Sequence, residues 1–137
     1  MKEQKFSWWK KRIAHLLDLV DSVRIDHFRG FYNYWEIRAG RETAIEGRWL
    51  YGPGADLLRA VTAALGDVAI IAEDLGDFDQ ESRAGVDALQ AEFGYPGMKV
   101  LQFAFSSGAK DPFLPHSFSP DCMVYTGTHD NDTVVGL

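Results

Sequence analysis

ADLLRAVTAALGDVAIIAEDLG, residues 55–76, is the stretch on which the reading of the fold turns. Its first part, 55–65, predicts a helix that Gly66 ends. Asp67-Val68-Ala69-Ile70-Ile71-Ala72 follows as a continuous apolar run and predicts a buried strand. Glu73 and Asp74 stand where that strand stops. The pattern repeats on both sides. Upstream, residues 5–20 suit an amphipathic helix, with Trp9, Ile13, Leu16, Leu17 and Val20 at three- and four-residue spacing. A short β-branched run, residues 22–26, then predicts a strand ending in charge. Residues 27–53 read as a long loop rich in aromatic residues and glycine, closed by Gly52-Pro53-Gly54. Downstream come a helix over 79–93, stopped by Gly94 and Pro96, and a strand over 99–104. A loop holding Pro112, Pro115 and Pro120 leads to a last strand over 123–126. Short apolar strands separated by helices predict an α/β unit of four parallel strands with helices covering it.

Composition bounds the function classes. The 137 residues suffice for one compact domain and fall short of most complete barrels. A net charge of −6 argues against a nucleic-acid partner, which usually meets a basic face. No apolar run approaches the roughly 20 residues that span a bilayer, so no membrane partner is expected. The basic start lacks the apolar core and cleavage site of a signal peptide. With Cys122 the single cysteine, no disulfide framework is possible, and a cytoplasmic setting is expected. The chain opens in a helical pattern and stops at Val134-Val135-Gly136-Leu137, which reads as a fragment of something longer. Nothing in it fixes an oligomeric state.

In parallel α/β folds, ligands bind beyond the carboxyl ends of the strands. Three of the four strands end in acids there: Asp26 after the first, Glu73 after the second and Asp130 after the fourth. For any one acid alone, capping of the next helix is the commoner explanation. Three acids, His27, His129 and two arginines at one mouth ask for more. Arg24 and Asp26 lie two apart on a strand and share a face; the guanidinium should hold Asp26 ionised, as a nucleophile needs. The apolar approach to Glu73 should favour its protonated form. In retaining glycosidases two such carboxyls stand about 5–5.5 Å apart, and neighbouring strands lie about 4.8 Å apart. The loop after the first strand carries Phe28, Phe31, Tyr32, Tyr34, Trp35, Trp49 and Tyr51. Sugar C–H faces stack on such rings, while Asn33, Arg38 and Arg48 could donate to hydroxyls; core packing takes most of the rings.

At these residues the sequence resembles a known family. RIDHFRGF (24–31), IAEDLG (71–76) and YTGTHDNDT (125–133) are similar to the motifs of the 4-α-glucanotransferases, also called amylomaltase or disproportionating enzyme, in glycoside hydrolase family 77 of the α-amylase clan. YWEI (34–37), GRW (47–49), GPG (52–54) and PGMKVLQF (96–103) add to the likeness. The resemblance implies a (β/α)8 TIM-barrel fragment covering about barrel strands 4 to 7, with residues 1–137 its central part and the flanking parts missing. It implies Asp26 as nucleophile, Glu73 as general acid/base and Asp130 as the acid that steadies the transition state. Arg24, His27, His129, Trp35 and Trp49 are the implied substrate contacts. The implied reaction moves a segment of an α-1,4-glucan (a maltooligosaccharide, starch or glycogen piece) to the 4-hydroxyl of glucose or another glucan. No metal or organic cofactor takes part.

Two rivals stand beside this. In a metal-dependent barrel of the enolase type, strand-end acids bind Mg²⁺, but Arg24 would repel the cation and the aromatic loop would have no role. Asp130-Asn131-Asp132 lacks the glycine and closing glutamate of a calcium loop. An inactive relic that binds glucan or nothing is the other. His15 is expected on a helix surface, Cys122 as a small buried apolar residue and Trp8 and Trp9 packed on the sheet; His116 has no assigned role.

Overall fold

A computed structural model describes residues 6–136, with Ser106 described by its backbone alone. Helix α1 (Ser7–Leu17) leads into β1 (Val23–Ile25), a short helix α2 (Arg29–Tyr32) and strands β2 (Asn33–Ile37) and β3 (Gly47–Tyr51). Helix α3 (Gly54–Leu65), β4 (Ile70–Ala72), α4 (Gln80–Phe93), β5 (Gly97–Val100) and β6 (Cys122–Tyr125) complete the order. Strands β1 and β4 pair in parallel, Val23 opposite Ile70 and Ile25 opposite Ala72. Strands β5 and β6 form a second parallel pair, Gly97 opposite Cys122 and Val100 opposite Tyr125. The Ala72 N–H, donating to the Pro96 carbonyl at 2.9 Å, joins the two pairs.

The helices cover these strands because their apolar residues fall on one stripe. Ile13 of α1, Leu57, Leu58 and Val61 of α3, and Val86 and Leu89 of α4 are buried with Val23, Ile25, Ile70 and Ala72. Phe28 is fully enclosed among them. Trp9 meets Phe31 edge-on at 5.2 Å between ring centres. Helix α4 begins at Asp79, whose side chain accepts the Ser82 N–H, and ends at Gly94, whose φ of 66° is the left-handed turn that glycine takes without penalty.

Several expectations need correction. Residues 27–53 are not a loop: α2 is followed by the antiparallel hairpin β2–β3, with Trp35 opposite Trp49 and Glu36 opposite Arg48. Aromatic residues favour strands as well as ligands. Here the cross-strand Trp pair, with centres 5.5 Å apart, and the Arg48–Glu36 ion pair at 2.7 Å hold the hairpin. The strand over 99–104 instead spans Gly97–Val100, and Leu101–Ser106 winds into 3₁₀ turns that bury Gln102 and Ala104. The first helix stops at Leu17, leaving Val20 beyond it and 48% exposed; its expected start at residue 5 lies outside the described residues. Trp8 stays 56% exposed, one ring edge on Trp9 and its face toward Arg12. Cys122 opens β6 partly exposed, its thiol donating to the Ser119 carbonyl, rather than buried. His15 is on the surface, as expected.

Leu58→Ala is expected to destabilise the chain by about 2–5 kcal/mol through the cavity it leaves. Ile45→Ala, at a position 87% exposed, should stay within about 0.5 kcal/mol. Urea denaturation midpoints of the two variants check this pair of outcomes.

Candidate active site

The site is built on the tips of β1 and β4. Alternation along β1 puts Arg24 and Asp26 on one face, and Arg24 Nη2 reaches Asp26 Oδ1 at 2.8 Å. Arg24 is itself held from the side, its Nε donating to Met98 Sδ of β5 at 3.2 Å. Asp26 remains open to solvent. One step past the ladder, the Glu73 N–H donates to the Ile25 carbonyl at 3.0 Å, and the Phe28 N–H donates to the Glu73 carbonyl at 2.8 Å. Asp26 and Glu73 therefore leave neighbouring strands at equivalent positions.

Glu73 is 9% exposed, and both carboxylate oxygens are engaged. Oε1 accepts the Leu75 N–H at 2.9 Å, and Oε2 accepts the His27 N–H at 2.6 Å. Asp74, beside it, does structural work: Oδ1 accepts the Met98 N–H at 2.8 Å and Oδ2 pairs with Arg83 at 3.0 Å. Gly97 lets that carboxylate approach, because a Cβ there would stand 2.8 Å from Asp74 Oδ2.

Asp130 follows β6 in an exposed loop, its Oδ1 3.3 Å from His129 Nε2. The loop has internal order: the Asn131 side-chain carbonyl accepts from both the N–H and the hydroxyl of Thr128, at 2.8 and 2.9 Å. Buried Gln102 supports it from β5's side, with Nε2 donating to the Asp132 carbonyl at 3.1 Å. Among the described residues, no hydrogen bond or ion pair joins Asp130 to Asp26 or Glu73. None of their His, Cys, Asp and Glu side chains form a group of three placed to hold a metal ion. No helix among them is long and apolar enough to cross a membrane.

The hairpin follows directly on α2, which itself follows β1. Trp35 and Trp49 share a face, both partly exposed; the Trp35 indole N–H donates to the Ala44 carbonyl at 2.8 Å. Of the seven rings in the 27–53 segment, Tyr34, Trp35, Trp49 and Tyr51 stay exposed, more than core packing would leave out. Arg29, which the sequence reading left without a role, is the buried centre beneath them. It donates to Asn33 Oδ1 at 2.9 Å, the Asp77 carbonyl at 2.8 Å and Ser82 Oγ at 3.1 Å, and lies against the Trp49 and Phe78 rings. Of the donors expected for sugar hydroxyls, Asn33 and the Nε of Arg48 have partners within the protein. Asn33 also donates to Ser82, and Arg48 pairs with Glu36. The four-residue step from Arg29 to Asn33, one helical turn, was the available clue to this network. His116 closes its own loop, Nε2 lying 3.0 Å from the Ala109 carbonyl.

An arginine-paired aspartate and a buried glutamate thus stand on adjacent parallel strand tips, the kind of carboxylate pair that chemistry at a glycosidic bond calls for. The chain belongs to the 4-alpha-glucanotransferase family, glycoside hydrolase family 77, whose sequence model matches residues 1–137. It is 50% identical over 138 residues to the 4-alpha-glucanotransferase of Thermus thermophilus and 51% identical over 138 residues to that of Synechocystis, with 99% of this chain aligned in each. The chloroplastic/amyloplastic enzyme of Solanum tuberosum is 48% identical over 136 residues. Among solved structures, the amylomaltase from Streptococcus agalactiae in complex with acarbose superposes with a TM-score of 0.88 at 42% identity, over 98% of this chain. The chain spans 27% of the length of the Thermus relative, 26% of the Synechocystis one, 23% of the Solanum one and 27% of the Streptococcus chain.

The Asp79 cap that anchors Arg29's surroundings has a defined pH response. The Ser82 N–H first, then the Ser82 hydroxyl and the Arg29 charge, hold its carboxyl below the ordinary 3.8. A carboxyl held low in the folded state adds stability that is complete above its unfolded value and lost as pH falls through the folded one. Asp79→Asn keeps a capping side chain without the charge. It is expected to be less stable than wild type near neutral pH, with the gap closing as pH falls below 3.8; denaturant titrations across that range measure it.

Proposed function

We propose that this chain is the central part of the catalytic (β/α)8 barrel of a 4-alpha-glucanotransferase, carrying about barrel strands 4 to 7 and the three reacting acids. The observation that carries the reading is the Arg24–Asp26 pair standing one strand from Glu73, in a chain matched along its whole length by the family. Asp26 attacks the anomeric carbon of a donor glucan while the bond to the leaving 4-oxygen breaks and Glu73 gives that oxygen its proton. Glu73 then takes the proton of an acceptor 4-hydroxyl, whose oxygen displaces Asp26 from the anomeric carbon. Two displacements retain the α configuration. Arg24 orients Asp26; Asp130, with His129, grips hydroxyls of the distorted sugar. Trp35 and Trp49 offer faces for further glucose units. All the chemistry is carried by side chains, without metal or cofactor.

The ligands proposed are α-1,4-glucans, from maltooligosaccharides to pieces of starch or glycogen; that the Streptococcus relative forms a complex with acarbose supports ligands of this kind. The single cysteine, free and partly exposed, suits the cytoplasm, the compartment we propose, although plant relatives are named chloroplastic/amyloplastic. Alone, the chain is expected to be a poor catalyst. Phe105, Val124 and Val135 are 69%, 49% and 98% exposed, apolar surface that the remaining length of the relatives would cover.

Two assays with maltotriose test this. The purified chain should release little glucose and build no longer oligomers; robust activity would count against the incomplete-barrel reading. A chimera in which this chain replaces the matching segment of the Thermus relative should transfer glucan. Glu73→Gln in it should lower kcat by about 10²–10⁴-fold, and Asp26→Asn should abolish the covalent step. Full activity in either variant would refute the assignment.

A further inference from the structure

We infer that His27 is a positioning residue for Glu73, acting through its backbone amide and not through its imidazole. The inference rests on the reading of Glu73 as the acid/base group and deepens it.

The backbone supplies the argument. His27 has a φ of 50°, in the left-handed region. Residues with a Cβ enter that region uncommonly, histidine more readily than most. In this conformation the N–H of the Asp26–His27 peptide points across to β4 and donates to Glu73 Oε2 at 2.6 Å. Its neighbours complete a clasp on the same glutamate: the Ile25 carbonyl accepts the Glu73 N–H, and the Phe28 N–H donates to the Glu73 carbonyl. A glutamate side chain has three free torsions, and two amides, from His27 and Leu75, fix where its carboxyl sits.

The imidazole, by contrast, is exposed and makes no hydrogen bond among the described residues. What is conformationally unusual at position 27 is the backbone, and what is engaged is the amide. The peptide that leaves the proposed nucleophile thus also holds the proposed acid/base group. A change in its orientation would move the two carboxyls relative to one another, and a misplacement of about 1 Å can cost about 10²-fold in rate.

Two variants separate amide from ring. His27→Gly discards the imidazole and keeps an N–H on a residue that accepts φ of either sign; His27→Val is β-branched and resists the left-handed region. In ¹⁵N–¹H spectra of the chain, the residue 27 amide proton is expected far downfield in wild type and in His27→Gly. It should move upfield when Glu73→Gln is added. In the Thermus chimera, His27→Gly should keep kcat on maltotriose within about threefold. His27→Val should lose about 100-fold in kcat with KM little changed.

An amide that ignores Glu73→Gln would overturn the clasp. A kcat in His27→Gly about 100-fold below that of the parent chimera would return the role to the imidazole. Both of these outcomes are readable even if His27→Val fails to fold. A parent chimera that transfers no glucan would count against the acid/base reading alone, because the amide shift still reports the clasp.

Discussion

The register between β1 and β4 is the constraint on which the rest of the site depends. Three backbone hydrogen bonds past or at the strand tips fix it: Val23 N–H to Ala69, Glu73 N–H to Ile25 and Phe28 N–H to Glu73. Each adds only about 1 kcal/mol net, but the buried side chains of Val23, Ile25, Ile70 and Ala72 tie the register to the core. A slip by one residue would turn Arg24 and Asp26 to the opposite face and bring Val23 and Ile25 out of the core. The positions of the two neighbouring acids are therefore a consequence of how the apolar residues pack beneath them.

A second layer is organised by one buried cation. Arg29 begins α2 just beyond β1, and its guanidinium joins the hairpin, the segment after β4 and the start of α4. With its charge neutralised in part by Asp79 at 3.8 Å and its faces covered by Trp49 and Phe78, it fixes the aromatic hairpin against the acid-bearing strands. Asp74 and Gln102 do comparable work elsewhere, one tying β4 to β5 and the other carrying the Asp130 loop. Acids that contact substrate in the proposed mechanism stay open or carry amide bonds alone, while adjacent polar residues spend their hydrogen bonds on holding the frame.

Much of this could be read from residues 1–137 directly. Helices α3 and α4 begin and end within a residue of the expected 55–65 and 79–93, because Gly66, Asp79 and Gly94 are local signals that tertiary structure did not override. The Arg24–Asp26 pairing followed from strand alternation alone. The hairpin did not come through, because Tyr34, Trp35, Trp49 and Tyr51 fit a ligand loop as well as a strand, and only pairing across ten or more residues distinguishes them. The strand expected over 99–104 ends at Val100 for a related reason: the run is apolar enough for a strand, and in the turns that replace it the Gln102 N–H meets the Thr126 carbonyl of a distant segment. The amide of His27 left no mark in the sequence, since a left-handed histidine has no composition signal.

The most direct measurement is identification of the residue that becomes covalently glycosylated. A slow-reacting activated α-glucosyl fluoride can be incubated with the Thermus chimera, and the protein digested and sequenced by mass spectrometry. One glucosyl adduct is expected, on Asp26, retained when Glu73 is replaced by Gln and absent when Asp26 is replaced by Asn. An adduct on Glu73 or Asp130, or turnover without any adduct in the Glu73→Gln protein, would contradict that expectation.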